Sequence, residues 1–411
     1  MNHSVFDALT LPNGTVLPNR LTKAAMEENM AITGHLPGER IFQLYKTWAK
    51  GGTGLLITGN VMVDHRAMTG PGGIVLEANT PLEPFKKWSE AGQENGAKIW
   101  MQINHPGRQV YAAMGGQVLS PSDIALDMGK HSNLFSKPTP MSENDISELI
   151  QRFASTASQA VKAGFNGVQI HAAHGYLLSQ FLSPLTNRRT DQWGGSLGNR
   201  ARLLYDIVKA VQKAVPKETA MSVKLNSADF QRGGFDAGDA LKVVEELGKL
   251  DVDLVEVSGG NYESPAMQGN NADDRTLARE AYFLPFAKDI AKQASMPVMT
   301  TGGITRLKVA QEVLDQGVDM VGLGRALAFN PSLPNTWRTS PENLVDLPAI
   351  KWKDKTMSAL AMMAITKRQL RRMGQGKRPK ISSSPFFSLI ADQMRLKKLT
   401  KVYRNQYHQA E

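Results

Sequence analysis

The sequence contains no cysteine among its 411 residues. This absence excludes disulfide bonds, zinc–thiolate sites and iron–sulfur clusters bound by cysteine. No stretch reaches the roughly 18 consecutive apolar residues of a membrane-spanning helix, and the first residues lack the basic and then apolar pattern of a secretory signal. The hydrophobic content of 41% is ample for a buried core. The sequence therefore predicts a globular protein with a cytoplasmic location.

Acidic residues are scarce in only one part of the chain. The formal net charge is +10, but residues 351–411 carry 15 Lys and Arg against 3 Asp and Glu. The preceding residues carry 33 basic and 35 acidic side chains, which is not the composition of a nucleic-acid-binding domain. A weak contact with an anionic membrane or an acidic partner is therefore a hypothesis for residues 351–411 alone.

A glycine-rich dinucleotide motif of the G-x-G-x-x-G type is also missing, which argues against a doubly wound nucleotide-binding sheet. Eight runs rich in apolar and β-branched residues alternate with segments of helical periodicity, a pattern typical of parallel strands joined by crossover helices. We therefore predict an α/β fold, a (β/α)8 TIM barrel, preceded by a hairpin that turns at Asn13 and Gly14. The eight runs are residues 20–26, 54–60, 97–103, 165–171, 219–225, 251–258, 296–301 and 318–324.

Two connections are too long to be plain linkers. Residues 104–142 and 259–276 are rich in glycine and polar side chains, and we expect them to act as lids over one end of the barrel. A boundary is predicted near Pro348. It divides the chain into a barrel domain, residues 1–347, and a basic helical C-terminal extension, residues 348–411.

Two histidines and a tyrosine follow the fourth predicted strand, at the end of a barrel where catalytic residues gather. His171 and His174 can donate hydrogen bonds to an oxygen, and the phenol of Tyr176 can deliver a proton. The H-x-x-H spacing alone would also suit a metal, but the segment supplies neither a third ligand nor an orienting partner. We therefore predict no metal at this site.

The segment 168–202 resembles the Old Yellow Enzyme family of flavin-dependent ene-reductases. The resemblance is carried by the motifs HAAHGYLL, FLSP, NRRTD, GGS and NR within that segment. It implies a bound FMN and a transient NADH or NADPH that uses the same face of the flavin as the substrate, so that turnover alternates at one pocket. In this family His171 and His174 hold a substrate carbonyl oxygen, while Tyr176 protonates the carbon that does not receive hydride.

Glycine-rich turns at the last two strands predict a phosphate site, because glycine lets backbone N–H groups approach an anion. Gly302 and Gly303 end one strand, and Gly324 precedes Arg325, whose planar fork suits a phosphate. The resemblance implies that these residues bind the phosphate of FMN. The resemblance also assigns six residues to the flavin ring: Ala25, Met26, Glu27, Asn60, Gln102 and Lys224.

Two of these residues depart from the family pattern. Lys224 stands where arginine is usual, and it keeps the charge without the two-pronged geometry. Glu27 stands where a threonine or cysteine is more common, and its carboxylate would oppose a negatively charged reduced ring. We expect one of two arrangements for Glu27. Its side chain turns into the pocket, where it contacts a cationic substrate group or, when the carboxyl is protonated, the flavin; otherwise it faces water.

The basic extension is predicted to form helices over 354–374 and 385–406, each with apolar residues along one side. Packing on the barrel or on a neighbouring subunit of a homo-oligomer is favoured over a membrane or acidic partner. The apolar residues are Met357, Leu360, Ala361, Ala364 and Leu370 in the first helix, and Phe386, Phe387, Leu389, Ile390, Met394 and Val402 in the second.

The predicted activity is an NAD(P)H:FMN oxidoreductase that reduces the activated C=C bond of an α,β-unsaturated carbonyl or related compound. Three alternatives stay open. A flavin-dependent dehydrogenase or demethylase would take hydride from an amine or alcohol. A Schiff-base lyase would use Lys224 as a nucleophile without flavin. A non-enzymatic scaffold would use the basic extension as an anchor.

Overall fold

A computed structural model describes residues 3–268 and 280–407 of the chain. Eight parallel strands, β1 to β8 in chain order, form a closed barrel, since each strand pairs with the next, β8 pairs with β1, and β3 pairs with both β2 and β4. The predicted TIM barrel is confirmed. The strands are Leu21–Lys23, Leu55–Ile57, Lys98–Asn104, Gly167–Ala172, Ala220–Asn226, Leu254–Ser258, Val298–Thr300 and Met320–Leu323.

Helices connect these strands on the outside of the barrel, and their ends follow local capping chemistry. Ser142 forms a capping box with Asp145, and the side chain of Ser196 accepts a hydrogen bond from Asn199, as expected for N-caps. The crossover helices are Glu39–Lys50, Glu83–Gly92, Glu143–Lys162, Leu197–Ala214, Ala237–Lys249, Leu284–Ala291 and Leu307–Asp315. Shorter helices are Leu177–Leu182, Arg325–Phe329 and Leu333–Thr339.

The amino-terminal end of the barrel is closed by a hairpin. Strands Leu9–Thr10 and Val16–Leu17 pair antiparallel, and Gly14 has a φ of +86°, which confirms the predicted turn. Two leucines of the hairpin pack on side chains from the beginnings of the barrel strands, so an apolar plug fills this end. The plug, as we call this cluster, consists of Leu11, Leu17, Leu55, Ile57, Trp100, Ala220, Leu254, Met299 and Met320.

Short strands outside the barrel ring belong to the long connections at the opposite end. The strand pair Val61–Met62 and Ile74–Val75 extends the sheet beside β3, and Leu119–Ser120 pairs with Thr139–Pro140 within the connection after β3. These additions raise the rim of the barrel at the carboxyl ends of its strands.

The basic extension forms two helices, Lys355–Met373 and Pro385–Tyr407, which pack against each other. The first helix also packs against the barrel helices Glu39–Lys50 and Arg325–Phe329, and it buries Ala361, Ala364 and Leu370. None of the helices in residues 3–268 and 280–407 is long and apolar enough to cross a membrane.

The second helix differs from its predicted packing. Leu389 is buried, but the apolar side chains Phe386, Phe387, Ile390, Met394 and Val402 are exposed and do not pack on the barrel. The contacts with the rim of the barrel are made instead by the other side of the helix. Tyr403, for example, is buried among methionines and donates a hydrogen bond to the carbonyl oxygen of His65 at 2.9 Å.

Candidate active site

A cavity of about 460 Å³ opens at the carboxyl ends of the barrel strands. It contains most of the residues that the sequence assigned to cofactor and substrate, because β5 and the loops after β1, β4, β6, β7 and β8 converge there. The predicted residues that line this cavity are Ala25, Met26, Glu27, His174, Tyr176, Lys224, Gly302, Gly303, Gly324 and Arg325. His171, Asn60 and Gln102 are buried beside or beneath it.

Backbone geometry presents the second histidine to the cavity. His174 lies two residues beyond the end of β4 with a φ of +61°, a left-handed conformation that a side chain other than glycine seldom adopts. Its N–H donates to Oδ1 of Asn226 at 3.0 Å, and its carbonyl oxygen accepts from Nε2 of Gln109 at 3.0 Å. These two contacts fix the turn that carries the ring.

Both histidines are held neutral. Burial, with a smaller contribution from the Lys224 cation, lowers the pKa of His171 and of His174 well below the ordinary value. Nδ1 of His171 accepts a hydrogen bond from the N–H of Ala173 at 3.2 Å, which assigns the proton of the neutral ring to Nε2. The rings of His171 and His174 lie 5.0 Å apart, and Nε2 of His174 is 2.7 Å from Oγ of Ser258.

The tyrosine lies against the first histidine. The ring of Tyr176 is 4.9 Å from that of His171, and its hydroxyl is 3.2 Å from the hydroxyl of Tyr262. Burial and then the Glu27 carboxylate raise the pKa of Tyr176, so the phenol keeps its proton at neutral pH. The sequence did not single out Tyr262, although an aromatic side chain in a polar lid loop was a usable signal.

The two predicted lid loops are joined to each other by an ion pair. Arg108, in the connection after β3, forms an ion pair of 2.7 Å with Glu263, in the loop after β6. The other carboxylate oxygen of Glu263 accepts a hydrogen bond from the N–H of Asp127 at 2.7 Å. The side chains of Arg108 and Glu263 are 4% and 12% exposed, so this contact is shielded from water. Part of the second predicted lid, residues 269–276, lies outside the described residues.

The glycine turns after β7 and β8 lie side by side on one wall of the cavity. Gly302 and Gly303 have φ values of +125° and +74°, and a Cβ on Gly303 would lie 2.3 Å from the hydroxyl oxygen of Tyr282. Gly324 directly precedes the helix Arg325–Phe329, and Arg325 lines the cavity. The arrangement offers backbone N–H groups and one guanidinium to an anion, which fits a phosphate.

A row of polar side chains crosses the barrel beneath the cavity. Nε2 of Gln102 donates to Gln169 at 2.7 Å, Gln169 donates to Glu256 at 2.9 Å, and Glu256 forms an ion pair of 2.7 Å with Lys224. Glu256 is fully buried on β6, opposite Lys224 on β5. The sequence analysis missed Gln169 and Glu256, and a carboxylate within an apolar strand was the signal that could have found Glu256.

Glu27 turns into the cavity, as one of the two predicted arrangements requires, and it has two protein partners that the sequence did not predict. Its side chain lines the cavity and accepts a hydrogen bond from Oγ1 of Thr69 at 2.5 Å, while its other oxygen lies 3.5 Å from Nζ of Lys367 in the first helix of the extension. Neither water nor a substrate cation is needed to balance this carboxylate. The contact of Glu27 with a substrate group or with the flavin stays a prediction, and its cationic partner Lys367 lies 340 positions further along the chain.

Asn60 follows β2 and is buried, with 8% of its surface exposed. Its Oδ1 has no hydrogen-bond partner among the described residues. A buried amide oxygen without a donor is unfavourable, so this atom is suited to accept a hydrogen bond from a bound molecule. The position of Asn60 beside the flavin ring stays a prediction.

A group of potential metal ligands lies away from the cavity. Oxygen and nitrogen atoms of Asp64, His65 and Glu77 come within 4.8 Å of one another. Arg66 pairs with Asp64 at 2.7 Å, and Arg152 pairs with Glu77 at 3.0 Å. Because two guanidinium groups already balance the two carboxylates, this group is explained as an ion-pair network of the rim.

The predicted phosphate residues, the Lys224 cation and the two neutral imidazoles beside a phenol fit a flavin-dependent oxidoreductase. The sequence model of the NADH:flavin oxidoreductase / NADH oxidase family matches residues 4–342. The chain belongs to this family, so it is an oxidoreductase that uses FMN and NAD(P)H. The cradle, the buried acceptor of Asn60 and Lys224 all fit FMN.

Curated relatives agree with this assignment. The chain is 37% identical to the NADH-dependent flavin oxidoreductase iliE of Hypocrea jecorina (strain QM6a), and the match covers 80% of this chain and 87% of the relative. It is 36% identical to the protein of the same name from Neonectria sp. (strain DH2), where 85% of this chain matches only 49% of the relative. The chain thus spans about half of that longer protein.

Solved structures show the same fold. An old yellow enzyme homologue from Zymomonas mobilis superposes with a TM-score of 0.71 at 26% identity, over 83% of this chain and 94% of that one. A 2-naphthoyl-CoA reductase in complex with 2-naphthoyl-CoA superposes with a TM-score of 0.77 at 26% identity, over 84% of this chain and 54% of that one. The predicted family is therefore confirmed.

Proposed function

We propose that the protein reduces the activated C=C bond of an α,β-unsaturated carbonyl or related compound, with hydride from FMN and a proton from Tyr176. One observation carries the proposal. A single cavity is lined by the predicted phosphate cradle, by Lys224, and by His174 and Tyr176. Cofactor and proton donor therefore face one space, which a two-step reduction requires.

The histidines prepare the substrate. A neutral imidazole can donate one N–H to the carbonyl oxygen, and this polarisation makes the β-carbon electrophilic. Nε2–H of His171 is available for this role because its Nδ1 is already an acceptor. Charge that develops on the oxygen is stabilised by the same donors, which favours the transition state over the ground state.

The tyrosine completes the reduction. When bound, FMN supplies the hydride from N5 of its ring. Tyr176 keeps its proton at neutral pH and delivers it to the α-carbon, which is general acid catalysis. Tyr262, whose hydroxyl lies 3.2 Å from that of Tyr176, orients the phenol and can replace the lost proton.

Lys224 would hold the pyrimidine edge of the flavin ring by a hydrogen bond from its ammonium group. Glu256 fixes the ammonium by an ion pair of 2.7 Å, which gives a lysine the defined position that arginine would obtain from its planar fork. We further propose that residues 1–347 form the FMN-binding barrel and that residues 348–411 add the basic extension.

An oxidation of an amine is supported less well. It would use Glu27 to hold a cationic substrate group, but the Glu27 carboxylate already has Thr69 and Lys367 as partners. The reduction of an activated alkene needs no such group.

The test separates the two half-reactions under anaerobic conditions. NADH or NADPH should bleach the flavin absorption, and an enone added afterwards should restore it. A panel of enones, enoyl thioesters, nitroalkenes and amines then identifies the acceptor class. The proposal fails if the reduced flavin is stable with every alkene, or if an amine reduces the oxidised flavin faster than NAD(P)H does.

A further inference from the structure

The first helix of the extension forms a wall of the active-site cavity. Residues between 347 and 370 line it together with the barrel loops, although the family model ends at residue 342. The extension therefore contributes a part of the cavity wall that lies beyond the residues matched by the family model. Its lining residues include Leu347, Ile350, Met362, Met363, Thr366 and Lys367.

Polar contacts fix this wall to the rim of the barrel. Arg371 of the first helix pairs with Asp392 of the second at 2.8 Å. Arg395 of the second helix then donates to the carbonyl oxygen of Asn29 at 2.5 Å. Asn29 lies two residues after Glu27, so the extension and the segment after β1 are held as one unit.

Lys367 is the cation that this wall places in the cavity. Its Nζ lies 3.5 Å from Oε2 of Glu27, and the two side chains are 15% and 28% exposed. Oε1 of Glu27 is engaged by Thr69 at 2.5 Å. Because both charges are largely removed from water, each one would act on a nearby ligand with little screening once its partner is lost.

The charges of the cavity cancel in pairs. The Lys224 ammonium is balanced by Glu256 at 2.7 Å, and the Lys367 ammonium is balanced by Glu27. Arg325, the remaining basic residue that lines the cavity, lies at the predicted phosphate cradle. The space left for the substrate is therefore electrically neutral, with an apolar wall of methionine and isoleucine.

We propose that Lys367 and Glu27 form a specificity-determining pair that selects uncharged, largely apolar unsaturated substrates. Because each charge already has its counterion, a substrate carboxylate or ammonium would lose its water in the cavity without gaining an unpaired partner. This inference rests on the proposed function, since it concerns the substrate of the same cavity. Without the Glu27 carboxylate the cavity should prefer a substrate with a carboxylate, and without the Lys367 ammonium it should prefer a substrate with an ammonium group.

The experiment measures binding to the oxidised FMN-containing protein by calorimetry at neutral pH. The probes are 2-cyclohexen-1-one and the same ring bearing a carboxylate or a primary amine. The unmodified protein should bind the neutral ring at least about tenfold more tightly than either charged ring. Glu27→Gln should lower the Kd of the acid about tenfold, and Lys367→Met should lower the Kd of the amine about tenfold.

The double variant Glu27→Gln, Lys367→Met should again prefer the neutral ring, because no charge is then left without a partner. Lys377→Met, which removes an exposed lysine of the same extension, should leave all three Kd values unchanged. Unchanged Kd ratios in both single variants would overturn the proposal. So would equal effects of Lys377→Met and Lys367→Met.

A second measurement serves if the rings bind too weakly. Quenching of the bound-flavin fluorescence by iodide should increase in Glu27→Gln, and quenching by caesium should increase in Lys367→Met. Unaltered quenching by both ions refutes the pair as a charge filter. If the neutral ring binds in these experiments but never reoxidises the reduced flavin, the proposed function fails, while the binding ratios still decide the charge proposal.

Discussion

The two ends of the barrel use opposite chemistry. The amino-terminal end is filled by the plug, in which Leu17, Leu55 and Trp100 are fully buried. The carboxyl end holds buried ions and neutral imidazoles, such as Lys224, Glu256 and His171. The plug excludes water with hydrocarbon alone, whereas the carboxyl end opens into the cavity and desolvates the charges buried beneath it.

This difference separates stability from function. Burial of hydrocarbon stabilises the fold without directional demands, so the plug needs only apolar side chains of suitable volume. Buried ions contribute little net stability, but they hold defined positions when each has its partner. Changes at the plug should therefore alter unfolding alone, and changes at the mouth should alter chemistry or leave a charge unpaired.

The largest effect is expected at the phenol. Tyr176→Phe removes the proposed acid while it keeps the ring that packs on His171, so reoxidation of the reduced flavin by an enone should slow by about 10²–10⁴-fold. Reduction by NAD(P)H needs no such proton and should be unchanged. Stopped-flow absorbance of the two half-reactions measures this. Tyr205→Phe, on an outer helix, is the control, and equal slowing of both half-reactions in Tyr176→Phe would argue against its role as an acid.

The buried ion pair should give the next largest effect. Glu256→Gln keeps the shape of the side chain but leaves the Lys224 ammonium buried without its anion, which should reduce the free energy of unfolding by about 3–5 kcal/mol. The double variant with Lys224→Met should recover most of this loss. Urea unfolding measures the free energy of unfolding of the single and the double variant, and the flavin content of each is measured in parallel.

Glu246→Gln is the control for this experiment, because Glu246 pairs with Lys249 on the protein surface. It should leave the unfolding midpoint unchanged. If Glu256→Gln were no more destabilising than Glu246→Gln, the stability of the carboxyl end of the barrel would not depend on the pairing of its buried charges. The two ends of the barrel would then not differ in the way described above.

The plug should show a loss of stability without a loss of chemistry. Leu17 is fully buried, and Leu17→Ala should reduce the free energy of unfolding by about 2–5 kcal/mol. The adjacent Val16 is 51% exposed, and Val16→Ala should change the free energy of unfolding by no more than about 0.5 kcal/mol. Both variants should keep the kcat of the folded enzyme. A reduced kcat in Leu17→Ala would show that the two ends are coupled.

The smallest effect concerns pH. The pKa values of His171 and His174 are lowered, so neither ring takes up a proton near pH 6.5, and the pKa of Tyr176 is raised, so its phenol does not ionise near pH 10. The rate of flavin reoxidation should therefore be level from about pH 6.5 to 9. An acid limb near pH 6.5 that vanishes in His174→Asn would contradict a neutral pair.

The same histidines affect stability in acid. Below about pH 6.5 the unfolded chain binds protons that the folded protein does not, so the free energy of unfolding should decrease as the pH falls from this value. The decrease starts at the unfolded-state pKa because the folded-state values lie lower. Urea unfolding between pH 7 and 5 measures it.

The fold could be predicted because its signals are local. Each barrel strand is a short apolar run followed by a helical segment, and the hairpin turn at Asn13 and Gly14 is encoded in adjacent residues. The glycine turns and the H-A-A-H-G-Y segment are local as well. These residues were placed at one end of the barrel by topology alone.

The partners of the site residues could not be predicted in this way. Glu256 lies opposite Lys224 because of the register between β5 and β6, which no short sequence window specifies. Lys367 meets Glu27 only because the extension folds back across the mouth. Charges whose partners are distant in sequence look unpaired in the sequence, and this explains why Lys367 was not predicted as a partner of Glu27.

The wall formed by the helix Lys355–Met373 has a consequence for the order of events during biosynthesis. Chains emerge from the ribosome from the amino terminus, so all eight strands are made before this helix. The residues of the predicted phosphate cradle are therefore synthesised before the helix that forms one side of the cavity. We therefore expect that FMN can bind before this helix packs on the barrel and narrows the entrance to the cavity.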